Sequence, residues 1–462
     1  MRRFFYLNTM PTITLEKLQR RKSEILSAGE ILEKFKKTKI SHDWSFEGVT
    51  PSQTSKFTHC YHRYPAKFIP QLVEKLMDEY LIGRGPYHVN DLFMGSGTTL
   101  ACAIARGYFA SGTDINYSAK LITQAKCTPI EPVLLRNKID KFFSDLNFLE
   151  KTSAPYNKKY KPHIPKSKSE RIEYWFEAKT IEELGIILAR IDHETDEEVK
   201  LFLKCCFSHI LKTCSRWLMS STKPTIDKSK KISKPLGAFK KHMRRMIRGN
   251  ESFWAVVPEN VKQDISKYLI IKRQDARHQP VKNNSIDIQI TSSPYVTSYE
   301  YADLHQLTTI WFEPEIDLKK YKKEFIGTSA KSNGIRSLKS SVGKEIENKL
   351  QKVDKKMADE VEAFFVDMQE CFDETYRILK DGGRCCYVIG NTKLRGVDIS
   401  NAEVFAESMQ YSGFKIDRII KREIPSKILP SKRDAKTGRF AANDSADSFA
   451  YPTEYIVIGR KS

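Results

Sequence analysis

The chain of 462 residues contains no stretch of eighteen consecutive apolar residues, which excludes a typical transmembrane helix. Its opening residues, Met1 to Asn8, are basic and then apolar, but the apolar run is too short for the core of a signal peptide. No small-residue cleavage site follows this run. We therefore expect a cytoplasmic protein with no membrane partner.

The nine cysteines include no Cys-x-x-Cys pair, and no pair of histidines completes a zinc pattern. The sequence thus predicts no metal site, and it predicts free, reduced and mostly buried cysteines. No repeat of fixed period appears along the chain, which argues against a solenoid or a propeller.

Positive charge is in large excess, since 78 Lys and Arg face 57 Asp and Glu, for a net charge of +21. An excess of this size favours a polyanionic partner, either nucleic acid or an anionic membrane surface. A basic protein without catalytic function would show the same excess, so charge alone does not decide between an enzyme and a binding protein.

Changes in composition divide the chain into four parts. Residues 1–56 form an N-terminal helical arm, and residues 57–149 follow a βαβ pattern. Residues 150–267 are a basic, helical insertion, after which the α/β pattern returns over residues 268–462. We expect an α/β fold with a twisted, mostly parallel sheet, helices on both faces and a helical insertion.

The pattern places predicted strands at 87–93, 108–114, 286–290, 384–389, 415–421 and 455–458. Predicted helices cover 13–38, 69–81, 98–106, 357–379 and 402–412. The long helix at 357–379 is expected to stop at Asp381-Gly-Gly383, a glycine signal typical of helix C-termini.

A glycine-rich loop, Asp91-Leu-Phe-Met-Gly-Ser-Gly-Thr-Thr99, lies between a predicted strand and a predicted helix. Glycines there let the backbone approach a ligand, and the helix N-terminus offers free N–H groups. The loop is not a P-loop, because no lysine follows the second glycine, and Leu100 replaces the third glycine of a dinucleotide motif. A structural turn without a ligand would share these features.

Two acids are candidates for binding a cofactor: Asp114 ends the predicted strand at 108–114, and Asp275 ends a third predicted strand, where the α/β pattern returns after residue 268. Asp114 can accept hydrogen bonds from both ribose hydroxyls of an adenosine cofactor; alternatively, it caps the helix that starts near Tyr117. Asp275 can accept from the adenine amino group of the same cofactor; alternatively, it is a surface acid before a loop.

Ser292-Ser-Pro-Tyr295 follows a buried predicted strand, at the sheet edge where ligands of open α/β folds bind. Methylation of an aromatic amine is difficult because the nitrogen lone pair is delocalised into the ring. The Ser292 hydroxyl and the Ser293 carbonyl can accept hydrogen bonds from the two N–H groups of such an amine, which would expose its lone pair. Tyr295 can stack on a base rotated out of a duplex. An ordinary polar turn after a strand is the alternative.

Six stretches together resemble DNA amino-methyltransferases of the N4-cytosine/N6-adenine superfamily. They are His62-Arg-Tyr-Pro-Ala-Lys-Phe68, Asp91 to Thr99, Gly112-Thr-Asp-Ile-Asn116, Asn284 to Tyr295, Tyr376 to Arg384 with Val388 to Asn391, and Ser412-Gly-Phe414 with Tyr455 to Gly459. The resemblance covers about 57–130 and 268–462, which is most of the chain.

The resemblance implies a Rossmann-like methyltransferase fold that uses S-adenosylmethionine. The implied cofactor-binding residues are Lys67, Phe68, Asp91, Phe93, Gly95, Ser96, Gly97, Thr98, Thr99, Asp114, Asn116 and Asp275. The implied catalytic residues are Ser292, Ser293, Pro294 and Tyr295. No Pro-Cys dipeptide occurs, which argues against cytosine-C5 methylation through a cysteine nucleophile.

The first residue of the catalytic motif points to the target base. In this family a serine there usually accompanies cytosine N4, and an aspartate accompanies adenine N6, so Ser292 points to cytosine. Ser293 departs from the family, which has a proline at that position. N6-adenine methylation, RNA methylation and a non-catalytic nucleic-acid-binding protein with a decayed loop are the alternatives.

The basic insertion is the best candidate for recognising double-stranded DNA. Its implied DNA contacts are Lys240, Lys241, Arg244, Arg245 and Arg248. A solvated lysine-rich face would look the same, and residues 313–357 form a second lysine-rich segment. A cognate restriction endonuclease that acts separately is a further predicted partner.

Overall fold

The structure is a computed structural model. It describes residues 25–64, 68–83, 85–150, 160–221, 223–296, 301–313, 315–317, 320–321, 323–326, 337–424, 432–433, 448–449 and 453–462. Within these ranges, no helix combines the length and the apolar character needed to cross a membrane. All nine cysteines are buried thiols outside any disulfide, as the sequence indicated.

The strands are numbered in chain order, and seven of the described strands belong to the central sheet. These are β1 (His88–Asp91), β2 (Phe109–Asp114), β3 (Leu269–Arg273), β4 (Ile286–Ser292), β5 (Leu379–Ile389), β8 (Phe414–Glu423) and β11 (Thr453–Lys461). The short strands β6 (Thr392–Leu394) and β7 (Val397–Ile399) pair with each other, as do β9 (Lys432–Arg433) and β10 (Ser448–Phe449).

The central sheet has seven strands in the order β3-β2-β1-β4-β5-β11-β8. Only β11 is antiparallel to its neighbours, β5 and β8; the other pairs in the sheet are parallel. The strand order reverses between β1 and β4, which is the switch point where open α/β sheets bind ligands. The predicted mostly parallel, Rossmann-like sheet is thereby confirmed.

The helices that precede the insertion are α1 (Ala28–Lys37), α2 (Pro51–Thr54), α3 (Pro70–Tyr80), α4 (Thr98–Ala105), α5 (Tyr117–Cys127) and α6 (Pro132–Asp145). The insertion contains α7 (Ser169–Trp175), α8 (Ala178–Asp192), α9 (Glu197–Leu211), α10 (Pro235–Trp254) and α11 (Glu259–Gln263). The helices after the insertion are α12 (Tyr301–Leu304), α13 (Gln306–Phe312), α14 (Ser341–Gln351), α15 (Lys355–Ile378) and α16 (Asn401–Tyr411).

Apolar side chains cover both faces of the sheet because strand residues alternate in direction. On β5, Cys386 and Val388 pack into a core with α3 and α4, whereas Cys385 and Tyr387 pack into another core with α15 and α16. Burial of both faces is typical of a mostly parallel sheet that is covered by helices on each side.

A third apolar core joins the insertion to the rest of the molecule. It combines Ile122 of α5 and Leu135 of α6 with Leu184 of α8, Phe202 of α9 and Phe239 of α10. The four-part division of the chain stays a prediction, and this core runs across its boundary at residue 150.

The predicted helix stop at Asp381-Gly-Gly383 is wrong. The helix α15 ends at Ile378, and the two glycines lie inside β5, where the pairing register with β4 shifts. Gly382 has a positive φ of 79°, and a Cβ on Gly383 would stand 2.8 Å from the Lys380 carbonyl oxygen. The glycines therefore permit an irregular strand rather than a helix cap.

Candidate active site

Three parallel strands bring candidate residues to one edge of the sheet. Asp91, Asp114 and Ser292 are the last residues of β1, β2 and β4, and β1 pairs with both of the other strands. Carboxyl ends of parallel strands share an edge, so residues far apart in sequence meet here.

The glycine loop after β1 is shaped by two left-handed glycines. Gly95 has φ 45° and Gly97 has φ 69°, and a Cβ on Gly97 would stand 2.6 Å from the Thr123 side chain. Thr98 then begins α4, and the Thr99 hydroxyl donates to the Ile290 carbonyl at 3.3 Å. Gly97 leaves no room for a side chain, and the left-handed backbone at both positions favours glycine; the bare backbone then leads to the N-terminus of a helix.

Asp91 ties the glycine loop to the catalytic strand. Its Oδ1 accepts from the Thr291 hydroxyl at 2.6 Å and from the Phe93 N–H at 3.1 Å. Only 3% of the residue is exposed, and burial raises the pKa of Asp91 to about 7 against the opposing effect of these hydrogen bonds. The hydrogen bond from Thr291 therefore links the carboxyl end of β4 to that of β1.

Asp114 organises the loop and the start of α5. Its two oxygens accept from Gly95 N at 3.0 Å and from Asn116 N at 2.8 Å, and burial raises the pKa of Asp114 to about 6. The alternative that Asp114 caps α5 is wrong, because Asn116 is the cap and accepts from Ser118 N at 2.9 Å. Each carboxylate oxygen of Asp114 keeps further capacity to accept hydrogen bonds.

Asp275 has a strong partner of its own. It lies just beyond β3, and its carboxylate accepts from Arg277 Nε at 2.9 Å and from Arg277 Nη2 at 2.6 Å. Arg277 also donates to Asp367 at 2.6 Å. An adenine amino group would have to share Asp275 with this guanidinium, and the predicted adenine contact stays a prediction.

The Ser292–Tyr295 loop leaves the sheet beside β5. Ser292 pairs with Val388, and Ser293 is only 2% exposed, with an Oγ that has no hydrogen-bond partner within the described ranges. Pro294 and Tyr295 are half-buried, and the Tyr295 hydroxyl lies 3.5 Å from Glu454 Oε2. A Cβ on Gly390 would stand 3.2 Å from the Tyr295 ring, which therefore packs on bare backbone.

The remaining predicted cofactor residues lie around the same loop, with one exception. Phe68 and Phe93 are half-buried, and the Ser96 and Thr98 hydroxyls lie 3.4 Å apart. Lys67 falls outside the described residues.

Sequence reasoning missed several residues that shape the site. Tyr64 would touch a Cβ on Gly95 at 3.3 Å and stacks on His305 with ring centroids 4.8 Å apart. The buried Lys126 ammonium donates to the Ser96 carbonyl at 2.5 Å. Tyr64 lay within a recognised motif, but nothing in the sequence signalled His305 or Lys126.

The predicted DNA contacts lie on α10 and fall into two groups. Lys241, Arg244, Arg245 and Arg248 are exposed at helical spacing and form a basic stripe. Lys240 is half-buried instead, with its ammonium 5.4 Å from the centre of the Phe143 ring.

Among known proteins, this chain is similar to type II DNA methyltransferases. No protein-family model matches it. The type II methyltransferase M.MvaI from Kocuria varians is 28% identical over 441 residues, which cover 90% of this chain and 96% of that protein. The type II methyltransferase M.MjaII from Methanocaldococcus jannaschii is 25% identical over 377 residues, 64% of this chain and 70% of that protein. The predicted resemblance to DNA methyltransferases is confirmed.

Solved structures are only distantly similar to this chain. A geranyl diphosphate C-methyltransferase from Streptomyces coelicolor is 7% identical, covers 94% of this chain and 98% of its own, and has a TM-score of 0.30. An S-adenosylmethionine-dependent methyltransferase from Methanosarcina mazei is 9% identical, covers 87% of this chain and 98% of its own, and has a TM-score of 0.27. TM-scores this low carry no weight, and the fold assignment stands on the strand order.

Proposed function

We propose that this chain is a site-specific DNA methyltransferase that transfers the methyl group of S-adenosylmethionine to an exocyclic base amine, cytosine N4. The observation that carries the proposal is the 2.6 Å hydrogen bond from Thr291 to Asp91. It joins the Ser292–Tyr295 loop to the glycine loop at the switch point of the sheet, so a methyl donor and a base can meet there.

S-adenosylmethionine is the cofactor that suits these residues. Gly95 and Gly97 let Tyr64 and Thr123 pack directly on the loop backbone, and the loop leads into the N-terminus of α4, whose free N–H groups favour a polar ligand. Asp114 offers a half-buried carboxylate to a pair of ribose hydroxyls. When bound, the cofactor supplies an electrophilic methyl group on a positively charged sulfonium.

The protein's own part in the reaction is to prepare the amine. Hydrogen bonds from the amine to the Ser292 hydroxyl and the Ser293 carbonyl oppose delocalisation of the nitrogen lone pair into the ring. The new bond forms between nitrogen and the methyl carbon, the carbon–sulfur bond breaks, and its electron pair stays on sulfur. The surplus proton leaves the product amine afterwards, so no strong general base is required.

Cytosine N4 is favoured over adenine N6 because a serine, Ser292, heads the motif of the family that the chain resembles. An aspartate at that position would favour adenine. A non-catalytic binding protein is disfavoured by the intact Asp91, Asp114 and Tyr295. A separate restriction endonuclease and a cytoplasmic location stay predictions.

Asp114→Ala is expected to weaken S-adenosylmethionine binding by about 1.5–3 kcal/mol, because a charged acceptor of the ribose hydroxyls is lost. Isothermal calorimetry measures this directly. Asp398→Ala is the matched control, since that carboxylate lies at the surface with 78% of its side chain exposed. Unchanged affinity in a folded Asp114→Ala variant would reject the ribose assignment.

The same affinity is expected to depend on pH. Because burial raises the pKa of Asp114 to about 6, its carboxylate becomes protonated as the pH falls through that value and accepts hydrogen bonds less well. Wild-type affinity should therefore fall below pH 6, and Asp114→Asn should remove that part of the fall.

Transfer of radiolabelled methyl groups tests the proposal itself. The protein and labelled S-adenosylmethionine are incubated separately with duplex DNA and with RNA of the same sequence. We expect label in the DNA alone. Label in the RNA alone would show that the substrate is RNA and not DNA. Binding of S-adenosylmethionine without transfer to either nucleic acid would favour the non-catalytic alternative.

A further inference from the structure

Four histidines from separate parts of the chain meet beside the candidate active site. His209 of α9 and His242 of α10 stack with ring centroids 3.5 Å apart and an interplanar angle of 7°. The ring of His62 lies 5.3 Å from that of His209 and 6.4 Å from that of His305. This cluster forms the seam between the insertion and the segment that leads into the glycine loop.

Hydrogen bonds fix the backbone of that segment onto the cluster. His242 Nε2 donates to the Tyr61 carbonyl at 2.7 Å, and the Arg63 N–H donates to His209 Nδ1 at 3.3 Å. His62 Nε2 lies 3.1 Å from the Ser208 hydroxyl. The stacked pair thereby holds Arg63 in place through its main chain while the Arg63 side chain is exposed.

Two arginines flank the stacked pair: the Arg63 N–H donates to His209 Nδ1 at 3.3 Å, and the Arg245 carbonyl accepts from Cys60 Sγ at 3.6 Å. Arg63 approaches from the 57–64 segment and Arg245 from α10, one turn beyond His242, and both side chains are exposed. Both guanidinium groups, after the larger effect of burial, lower the pKa of His209 and of His242, the latter to about 4. The rings are therefore neutral at neutral pH. Burial, and after it the charge of Arg63, also lowers the pKa of Lys212.

The charge at this seam is not balanced locally. Neither Arg63 nor Arg245 has an ion pair within the ranges that the structure describes. Apart from other histidines, the groups that act electrostatically on the two stacked histidines are these two arginines. Guanidinium groups bind phosphate oxygens in a bidentate manner, so an unbalanced pair of them suits a phosphate group.

The seam also lies next to the chemistry. Arg63 directly precedes Tyr64, whose ring borders Gly95 of the glycine loop and stacks on His305. His305 is only 5% exposed, and its Nε2 has no hydrogen-bond partner in the described part of the chain. A phosphate held by Arg63 would thus stand close to the place where a base must enter.

We propose that Arg63 and Arg245, set on the His209–His242 stack, bind one backbone phosphate of the target strand next to the base that is rotated out. Rotation of a nucleotide turns about its backbone, so a fixed flanking phosphate defines the axis of that motion. The inference rests on the proposed DNA methylation and adds a specific contact to it.

Single neutral substitutions in the DNA backbone test this contact. A set of duplexes is prepared that contain the site which the protein methylates, each with one phosphate replaced by methylphosphonate. The affinity of the full-length protein for each duplex is then measured. For the wild-type protein, methylphosphonate at one phosphate next to the target base should lower the affinity roughly tenfold relative to the unmodified duplex. Arg63→Gln and Arg245→Gln should each bind the unmodified duplex more weakly than the wild type by a similar factor. For these variants, methylphosphonate at that phosphate should lower the affinity by less than a further factor of two.

Arg248→Gln is the matched control. It removes an exposed arginine from the same helix, one turn further along, that does not act on the histidine pair. The fold-loss of affinity caused by Arg248→Gln should be the same with and without methylphosphonate next to the target base. The losses from the substitution and from the methylphosphonate should therefore multiply. If the affinity losses from Arg63→Gln and from methylphosphonate multiply at every phosphate, the two act independently and the proposed contact is rejected. That result would leave the proposed DNA methylation unaffected. A wild-type protein that neither binds nor methylates duplex DNA would overturn the proposed function together with this contact.

Discussion

Ser292→Ala is expected to slow methyl transfer about thirtyfold, the effect of losing about 2 kcal/mol of hydrogen bonding to the reacting amine. Ser292 is the final residue of β4, and its main chain is held by pairing with Val388, so the substitution removes the acceptor without moving the loop. S-adenosylmethionine binding should stay unchanged. Single-turnover rates and calorimetry measure the two quantities separately.

The same strand supplies the control for this experiment. Ser285→Ala alters a serine just before the opposite end of β4, where its hydroxyl donates to the Lys282 carbonyl at 2.6 Å, and it should leave the transfer rate unchanged. Tyr295→Ala should weaken capture of the rotated base by about 1–3 kcal/mol as well as slow turnover. Full activity in both Ser292→Ala and Tyr295→Ala would reject this site.

Neutralising the basic stripe of α10 is expected to produce the largest change in DNA affinity. Replacement of Lys241, Arg244, Arg245 and Arg248 by glutamine should lower the slope of log affinity against log salt by about 0.9 per lost phosphate contact. Loss of all four contacts therefore lowers it by about 3.6. Lys240 is left intact because it is half-buried against Phe143. Fluorescence anisotropy across a salt series measures the slope.

A second set of four lysines provides the matched control. Lys34, Lys36, Lys37 and Lys39 are exposed on or just after α1, and neutralising them removes the same total charge from another surface. Their variant should keep most of the wild-type salt slope. Equal slopes for the wild type and the α10 variant would mean that the stripe does not touch the DNA backbone, and residues 313–357 would become the better candidate.

Much of the fold could be predicted because the strands that build the site carry local signals. The glycine loop, Asp114 and Ser292 each stand at a strand end, and a pattern of strand, turn and helix identifies that position without tertiary information. The Gly382-Gly383 pair was misread, since glycine permits both a helix cap and a strand irregularity, and only the register against β4 decides between them.

Contacts within the site were harder to predict than its members. Thr291 and Asp91 are 200 positions apart, and their hydrogen bond exists only because β1 and β4 are neighbours in the sheet. The histidine cluster has the same origin, since helix packing brings His209 and His242 together and no spacing in the sequence marks either residue. Conversely, Arg277 takes both oxygens of Asp275, a competing partner that a strand-end pattern does not reveal.

Identification of the methylated nucleoside tests the central claim most directly. Duplex DNA of mixed sequence is incubated with the protein and S-adenosylmethionine carrying an isotopically heavy methyl group, digested to nucleosides and analysed by mass spectrometry. We expect heavy N4-methyldeoxycytidine in the wild-type reaction and a strong reduction with Ser292→Ala. Heavy N6-methyldeoxyadenosine would reverse the choice of base and keep the chemistry. DNA without any heavy methylated nucleoside, under conditions where the protein binds S-adenosylmethionine, would contradict the claim.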